Sequence, residues 1–358
     1  MDLVDTTSAR TIPPRDRTTL VEVAEMAGVS RATASRVMNG STRVSSGTRR
    51  AVEQAARRLG YVPNQAARNL VTRRSNSIGL VIPEPTARLY GDPFFPRLVR
   101  GITEALTPLN LPLVLFMPQS GADEARLEHY LGGEHVDGVL LVSLHGPDPL
   151  PVRLARRGVP VVLGGRLLSP AVLSRVDVDN VQGAVQAVQH LTSLGRRAVA
   201  TVAGPQDMGV GVDRLTGYRH ALDLAGRAAD PSLEQVGDFT YEGGAAAMRA
   251  LLERRPDLDA VFVASELMAV GAIAALRAAG RRVPDDVAVV GFDDSAMATI
   301  TDPPLTSVRQ PIELMGREMA RLLLHLIDSG DRTPQQVVLG TELVVRASTV
   351  GAAAPTGT

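Results

Sequence analysis

The chain has no cysteine among its 358 residues, so it has neither a disulfide framework nor a thiolate metal site. No apolar run approaches the roughly 18 residues that a membrane-spanning helix needs. The patterns of a Walker A loop, of HExxH and of GxSxG are also missing, and the six histidines are scattered along the chain. These absences exclude the motif-bearing enzyme classes, and we expect no metal and no cofactor.

The chain also contains no lysine, so arginine supplies all of its 38 basic residues and balances 38 acidic ones. Residues 1–75 carry 13 Arg against 6 Asp and Glu, whereas the rest carries 25 Arg against 32. A basic end on an acidic body suggests nucleic-acid binding by the amino-terminal segment. The first twenty residues mix acids, prolines and threonines, unlike a signal peptide, so we expect a cytoplasmic protein.

A stretch near the amino end, VEVAEMAGVSRATASRVMNG at residues 21–40, carries the first motif. Thr19 and Glu22 have the spacing of a capping box, in which each side chain bonds the backbone amide of the other residue. We therefore expect a helix over residues 20–27. Gly28 ends that helix, because a left-handed turn after a helix costs glycine least.

A second helix is predicted over residues 31–39, with Ser30 as its N-cap. Two short helices joined by a tight turn form a helix-turn-helix, whose second helix enters the major groove of DNA. On this second helix, Arg31 and Arg36 are long enough to reach guanine edges. Ala32 is small enough to allow close approach to the bases, and Thr33 and Ser35 carry hydroxyls that suit phosphate oxygens. The alternative is an ordinary helical hairpin with a solvated basic face.

A third helix is predicted over residues 46–59, with Ser45 as its cap and a small apolar core on its inner face. The segment TLVEVAEMAGVSRATASRVMNG, the helix ending LGYVPN and the AARNL after it closely resemble the lactose-repressor (LacI/GalR) family of bacterial transcription regulators. The resemblance covers residues 18–75. Ala34 departs mildly from the family pattern, in which a larger β-branched residue is common.

The resemblance implies a hinge helix at residues 65–71 that forms when two subunits lie together on an operator. Leu70 matches the residue that enters the minor groove, where an apolar wedge kinks the DNA and lets it contact more protein surface. So short a helix is not stable alone. The alternative is that Leu70 is a simple linker residue. The full set of expected DNA contacts is Arg31, Ala32, Thr33, Ser35, Arg36, Asn39, Asn64, Ala67 and Leu70.

From residue 77 onward, runs rich in valine, leucine and isoleucine alternate with helical stretches. The runs are SIGLVIP, LPLVLFM, VDGVLLVS, VPVVLGG, RAVATVAG, DAVFVAS and DVAVVGFDD. Such runs indicate parallel sheets that are covered on both faces. The arrangement occurs twice, at about residues 77–165 and 197–293. We therefore predict two doubly wound sheets, with a ligand cleft at the carboxyl ends of their strands.

The expected fold class is a small all-α helix-turn-helix DNA-binding domain plus an α/β core of two doubly wound parallel-sheet lobes. This core resembles the periplasmic-binding-protein-like core of the same family, with closing matches GDFT, VVGFDD and PPLTSVRQP. The expected boundaries are 18–63 for the DNA-binding domain, 64–76 for the hinge and linker, and 77–350 for the core. Within the core, the chain is expected to cross between the lobes near 176–180, 305–310 and 333–339. Residues 1–17 and 351–358 are expected to be disordered tails.

The resemblance also implies an effector site in the cleft, for a sugar or related metabolite, with a nucleobase as the alternative. Its expected contacts are Phe94, Phe95, Arg214, Phe239, Ser265, Asp293 and Gln310. The aromatic rings stack on the ligand, Arg214 binds its oxygens, and Asp293 takes hydroxyls in pairs. Alternatively, the two adjacent phenylalanines belong to the core, Arg214 serves an ion pair, and Asp293 caps a helix. Gly165 and Val210 stand where relatives often have polar side chains, so fewer hydroxyls are expected to be bound.

These observations predict a transcriptional regulator, foremost a repressor, that binds double-stranded operator DNA under the control of a small-molecule effector. A two-fold operator needs a two-fold protein, so a homodimer is expected. Residues 351–358 contain no leucine heptads, and a tetramer built through a carboxyl-terminal bundle is not expected. The main rival is a transport-type sugar-binding protein, which would share the body but lack the basic DNA-binding end.

Overall fold

The computed structural model describes residues 18–38, 41, 43–61, 74–133 and 135–350. The chain divides into two compact units, residues 1–74 and residues 75–358. The expected tails and most of the expected hinge, residues 64–73, lie outside the described residues. In the part of the chain that is described, no helix combines the length and the apolar character needed to cross a membrane.

The amino-terminal unit contains three helices, α1 (Leu20–Met26), α2 (Arg31–Met38) and α3 (Ser46–Leu59). The predicted capping box is present: the Thr19 amide donates to Glu22 Oε2 at 2.6 Å, and the Glu22 amide donates to Thr19 Oγ1 at 3.4 Å. Gly28 has φ 66°, the left-handed conformation that glycine adopts without strain. The predicted helix-turn-helix is confirmed, although α1 ends at Met26 and residue 27 is its C-cap.

Small apolar residues form the core of this unit, which lets three short helices approach closely. The buried members are Val23, Ala24, Ala34, Val37, Val52, Ala55 and Ala56. Each buried valine contributes roughly 1.5–3 kcal/mol relative to an exposed one. Ser30 caps α2 by accepting from the Thr33 amide at 3.1 Å, and Ser45 caps α3 in the same way. The packing therefore turns Ala34 and Val37 inward and leaves the opposite face of α2 open.

The second unit contains twelve strands, eleven further α-helices and two short 3-10 helices in its described residues. The strands are β1 (Ile78–Val81), β2 (Leu113–Phe116), β3 (Gly138–Val142), β4 (Val161–Gly164), β5 (Arg175–Val178), β6 (Val199–Ala203), β7 (Glu234–Val236), β8 (Ala260–Val263), β9 (Ala288–Asp293), β10 (Thr306–Arg309), β11 (Gln336–Leu339) and β12 (Glu342–Val344). The helices are α4 (Thr86–Gly91), α5 (Phe94–Leu106), α6 (Gly121–Leu131), α7 (Leu150–Arg156), α8 (Asn180–Ser193), α9 (Gly209–Leu224), α10 (Tyr241–Arg254), α11 (Glu266–Ala278), α12 (Met297–Ile300), α13 (Ile312–Ser329) and α14 (Ala347–Val350).

The strands form two six-stranded sheets, one in each lobe. The first lobe has the order β11-β5-β4-β3-β1-β2, and the second has β12-β10-β9-β8-β6-β7. All neighbours are parallel except β12, which runs antiparallel to β10. Alternate residues of β3 face opposite sides of the first sheet, with Leu140 in one buried cluster and Leu141 in another. Helices cover both faces, as the near-continuous apolar runs predicted.

The chain crosses between the lobes three times, directly after β5, β10 and β11. The third expected range, 333–339, is displaced: residues 336–339 form β11, whose Val337 and Leu339 pack on the core of the first lobe, so the crossing follows at Gly340. The carboxyl ends of the parallel strands in both lobes face one cleft, where polar side chains from the two lobes meet.

Candidate functional site

The open face of α2 carries the side chains predicted to contact DNA. Arg31, Ala32 and Arg36 are exposed, and Thr33 and Ser35 are half-buried. No acidic residue occurs in α2, so the face that it presents is basic. A basic face of short and long polar side chains suits the major groove, where arginine reaches guanine and small residues allow close approach. The remaining predicted contacts, Asn39, Asn64, Ala67 and Leu70, lie outside the described residues.

A cleft between the two lobes contains about 790 Å³ of empty space, part of which is open to solvent. All seven side chains predicted to bind the effector line it, namely Phe94, Phe95, Arg214, Phe239, Ser265, Asp293 and Gln310. Gly165 and Val210 also border it, so two positions on its wall offer no polar side chain. Residues far apart in the sequence therefore meet around one cavity.

Arg214 is fixed within the second lobe by three groups. Its Nε donates to Asn180 Oδ1 at 2.9 Å and its Nη1 to the carbonyl oxygen of Ala264 at 2.5 Å, while the guanidinium lies 3.6 Å from the centroid of the Phe292 ring. Burial lowers the pKa of Arg214 to about 10, and neighbouring carboxylates, Asp293 first, oppose that effect. The guanidinium therefore stays charged at neutral pH and is held rigidly at the cavity wall.

Asp293 stands at the end of β9 with φ 108°, a conformation that costs a non-glycine residue energy. Its Oδ1 accepts from Gln310 Nε2 at 2.5 Å and lies 3.7 Å from Arg214 Nη1. Burial raises the pKa of Asp293 to about 7; Arg214 opposes the shift, and the nearby carboxylates of Asp92 and Glu266 add to it. Hydroxyls that donate to this carboxylate would favour its charged form.

The alternative interpretations of three residues hold in part, and the first is that Arg214 forms an ion pair, here with Asp293. The Glu266 amide, at the start of α11, donates to Asp293 Oδ2 at 3.3 Å, so Asp293 also serves a helix terminus. Phe95 is only 1% exposed and packs in the core of the first lobe, yet it borders the cavity. Phe94 is half-buried and meets Phe95 edge to face, with the ring centroids 5.4 Å apart. Phe94 is therefore more exposed than Phe95, and both border the cavity.

Several polar residues of the cavity were not predicted from the sequence. Arg166 forms an interlobe ion pair with Asp213, with its Nη2 2.6 Å from Asp213 Oδ1. Asp177 lies beside Asn180, and burial raises the pKa of Asp177 to about 6. Arg166 and Asp177 lie at the carboxyl ends of β4 and β5, which is the position that could have revealed them. Among the described residues, no cluster of His, Asp and Glu suited to a metal ion occurs.

Family models match both units of the chain. The model described as bacterial regulatory proteins, lacI family, matches residues 19–64, and that of a periplasmic binding protein-like domain matches residues 188–349. The HTH-type transcriptional regulator CelR of Thermobifida fusca is 54% identical over 336 residues, covering 93% of this chain and 99% of the relative. The HTH-type transcriptional repressor CytR of Escherichia coli (strain K12) is 34% identical over 334 residues, covering 92% of this chain and 96% of the relative. The chain belongs to the LacI family of bacterial transcriptional regulators.

Solved structures agree with this assignment. A CelR–cellobiose complex has 52% sequence identity and a TM-score of 0.75, covering 93% of this chain and all of that one. The lac repressor dimer bound to operator and the anti-inducer ONPF has 29% identity and a TM-score of 0.84, covering 94% of this chain and all of that one. The predicted fold class and the predicted class of DNA-binding transcriptional regulator are confirmed. The relatives named here are regulators of transcription and not enzymes.

Proposed function

We propose that this protein is a homodimeric repressor whose affinity for a pseudo-palindromic operator is controlled by a sugar of the cellobiose class. The observation that carries the proposal is the cavity itself, in which Arg214, Asp293 and Gln310 form one polar cluster beside phenylalanine rings. Fixed donors and acceptors next to apolar rings suit a sugar, which has hydroxyls at its rim and an apolar ring face. The likeness to a regulator solved with cellobiose supports this class of ligand.

The proposed roles in the cleft follow from the geometry. Arg214 donates to ligand oxygens, and Asp293 accepts from a pair of hydroxyls. Gln310 holds Asp293 in place and, because it follows β10 at an interlobe crossing, senses the angle between the lobes. The phenylalanine rings, foremost Phe94, pack against the sugar ring.

The proposed route to DNA runs through the segment between the two units. Residues 64–76 are assigned as the hinge, and Leu70, which lies outside the described residues, as the minor-groove wedge. The protein exists in forms that differ in the angle between the lobes, and the sugar favours one of them. It can shift the equilibrium between these forms only as far as its affinities for them differ. The change alters the spacing of the two hinges of the dimer and hence the fit of both α2 helices to the operator. Because its partner is chromosomal DNA, the regulator acts in the cytoplasm.

The test uses the full chain with cellobiose, maltose, glucose and cytidine as probes in isothermal titration calorimetry. Cellobiose should bind in preference to its α-linked isomer maltose, and cytidine tests the nucleobase alternative. A fragment of residues 75–358 should keep cellobiose binding but lose binding to an operator selected from random DNA. Retained operator binding by the fragment, or preference for cytidine, would contradict the proposal.

A further inference from the structure

A buried carboxylate outside the proposed ligand cluster organises the outer end of the cleft. Glu84 follows β1 and its side chain is 3% exposed. Its Oε1 is contacted by Arg88 Nη1, by the hydroxyl of Ser143 and, at 3.2 Å, by His145 Nε2. All four residues belong to the first lobe. A carboxylate this deeply buried is stabilised by its partners, and it fixes the side chains that surround it.

Two of the side chains held by Glu84 reach across to the second lobe. The guanidinium of Arg88 lies over the Phe239 ring, with its Cζ 5.1 Å from the ring centroid. The Nδ1 of His145 lies 2.9 Å from Asp207 Oδ2, and the amide of the next residue, Gly146, donates to the carbonyl oxygen of Asp207 at 2.6 Å. The lobes are therefore joined at two points on one side of the cleft.

Arg88 and Phe239 lie between the inner cavity of the cleft and a second, wider depression. Together with Asp92 they line both the inner cavity and a wider depression that opens outward beside it. The stacked guanidinium and ring thus form a wall at the outer end of the inner cavity. The Nε of Arg88 is buried and has no hydrogen-bond partner among the residues that the structure describes, so Glu84 and the Phe239 ring are what hold the guanidinium in place.

We propose that Arg88, held by Glu84 and stacked on Phe239, sets the maximum length of the sugar that the cleft admits. The inference rests on the proposed sugar-responsive function and deepens it. A disaccharide occupies the inner cavity, and its outer ring lies against the wall that Arg88 and Phe239 form. A longer β-linked oligosaccharide must displace the guanidinium from Phe239 and from its buried partner Glu84. Specificity then arises from a penalty on the longer competitor as well as from contacts with the correct ligand.

The experiment measures the affinities of the full chain for cellobiose, cellotriose and cellotetraose by isothermal titration calorimetry. The parent should bind cellobiose about tenfold or more tightly than cellotriose. Arg88→Ala should lower that ratio by about fivefold or more, because the wall is lost. Arg88→Lys keeps a positive charge beside Glu84 without the planar stacking group, and it should lower the ratio to a smaller extent. Arg100→Ala, which removes a 72% exposed arginine from the same lobe, should keep the parent ratio.

The outcomes separate this inference from the proposed function. If cellobiose binds and both Arg88 variants discriminate against cellotriose as the parent does, the length limit is wrong and the sugar-responsive function stands. A parent that binds all three oligosaccharides equally also overturns the length limit. If Arg88→Ala binds no sugar, the test passes to Arg88→Lys. A lowered preference of Arg88→Lys for cellobiose over cellotriose supports the length limit, and a preference equal to that of the parent overturns it. If the parent does not bind cellobiose, the proposed function and the inference fall together.

Discussion

Gly209 of the second lobe and Arg166 of the first approach so closely that a Cβ built on Gly209 would lie 2.7 Å from the Arg166 carbonyl oxygen. Real Cβ atoms do not make such contacts, and the obstructing atom belongs to the backbone. Gly209 is the first residue of α9, five residues before Arg214 on the same helix. The two lobes can therefore pack this closely only because residue 209 has no side chain.

Gly209→Ala is expected to hold the lobes apart and to weaken cellobiose binding. Overpacking of about 1–3 kcal/mol corresponds to a loss of roughly 5–150-fold in affinity. Gly121→Ala is the matched control, since Gly121 is also the first residue of a helix and its Cβ would meet nothing within 4 Å. Calorimetry gives the affinities, and small-angle scattering reports the opening. An affinity equal to that of the parent would show that the cleft closes without this contact.

The buried acids of the cleft make stability depend on pH in a definite direction. The pKa of Asp293 is about 7 in the fold against an ordinary value of 3.8, and that of Asp177 is about 6, in both cases because of burial. At a pH between the ordinary pKa and the raised pKa of each acid, the folded protein holds a proton that the unfolded chain has released. These two groups therefore make the free energy of unfolding fall as pH rises. The Tm of ligand-free Asp293→Asn should therefore fall less than that of the parent between about pH 5 and about pH 7.

Asp302→Asn, which makes the same change on an 88% exposed side chain, is the control for that comparison. Parallel Tm profiles for the parent and Asp293→Asn would mean that Asp293 is ionised throughout the range in the ligand-free protein.

The contact of His145 with Asp207 gives cleft closure its own pH dependence. Hydrogen bonds to Glu84 and then to Asp207 raise the pKa of His145, against its partial burial, while Arg88 is the other charged group beside Glu84. The protonated ring donates to both acids, so this contribution is complete below the ordinary value of 6.5 and is lost as pH rises through the raised pKa.

Loss of the proton from His145 should weaken cellobiose binding as pH rises above about 6.5, and His145→Gln should remove this contribution to the pH profile. The comparison is between the parent and the variant, because Asp293 titrates in both proteins. His325→Gln, on α13 and outside the cleft, is the matched control. Identical pH profiles for the parent and His145→Gln would show that the interlobe contact does not depend on charge.

Arg36 is expected to contribute base recognition. Arg36→Ala should lose roughly 1–3 kcal/mol on the selected operator and less on random DNA. Arg58→Ala, which removes an exposed charge from the last turn of α3, should weaken binding to both DNAs alike if it acts at all. Fluorescence anisotropy at one fixed salt concentration gives the six affinities of the parent and the two variants for the two DNAs. Equal losses on both DNAs for Arg36→Ala would place Arg36 on the phosphate backbone alone.

The sequence predicted those strands that consist of continuous apolar runs. The seven apolar runs all became strands, but β5, β7, β10, β11 and β12 were not predicted. β7, β11 and β12 have half-exposed residues at the edges of their sheets, and β5 and β10 carry charged residues such as Asp177 and Arg309. Short strands with such residues lack the continuous apolar pattern on which the prediction depends.

The cleft was also predicted only in part. The cavity residues inferred from family resemblance could be predicted because they lie in or near recognisable sequence motifs. The interlobe pairs Arg166 with Asp213 and His145 with Asp207 were missed, since they depend on the angle between the lobes. No local pattern encodes that angle, and a pair 47 or 62 residues apart becomes visible only when both lobes are in place.

Control of DNA binding by the cleft is tested most directly by titrating the full chain, bound to its selected operator, with cellobiose while operator affinity is followed by fluorescence anisotropy. Saturating cellobiose should change operator affinity by roughly 5–150-fold. Asp293→Asn, which keeps the size of the side chain but loses its charge, should bind the operator like the parent and show little of this response. A parent that binds cellobiose in the cleft while its operator affinity stays constant would contradict the claim that the cleft controls DNA binding.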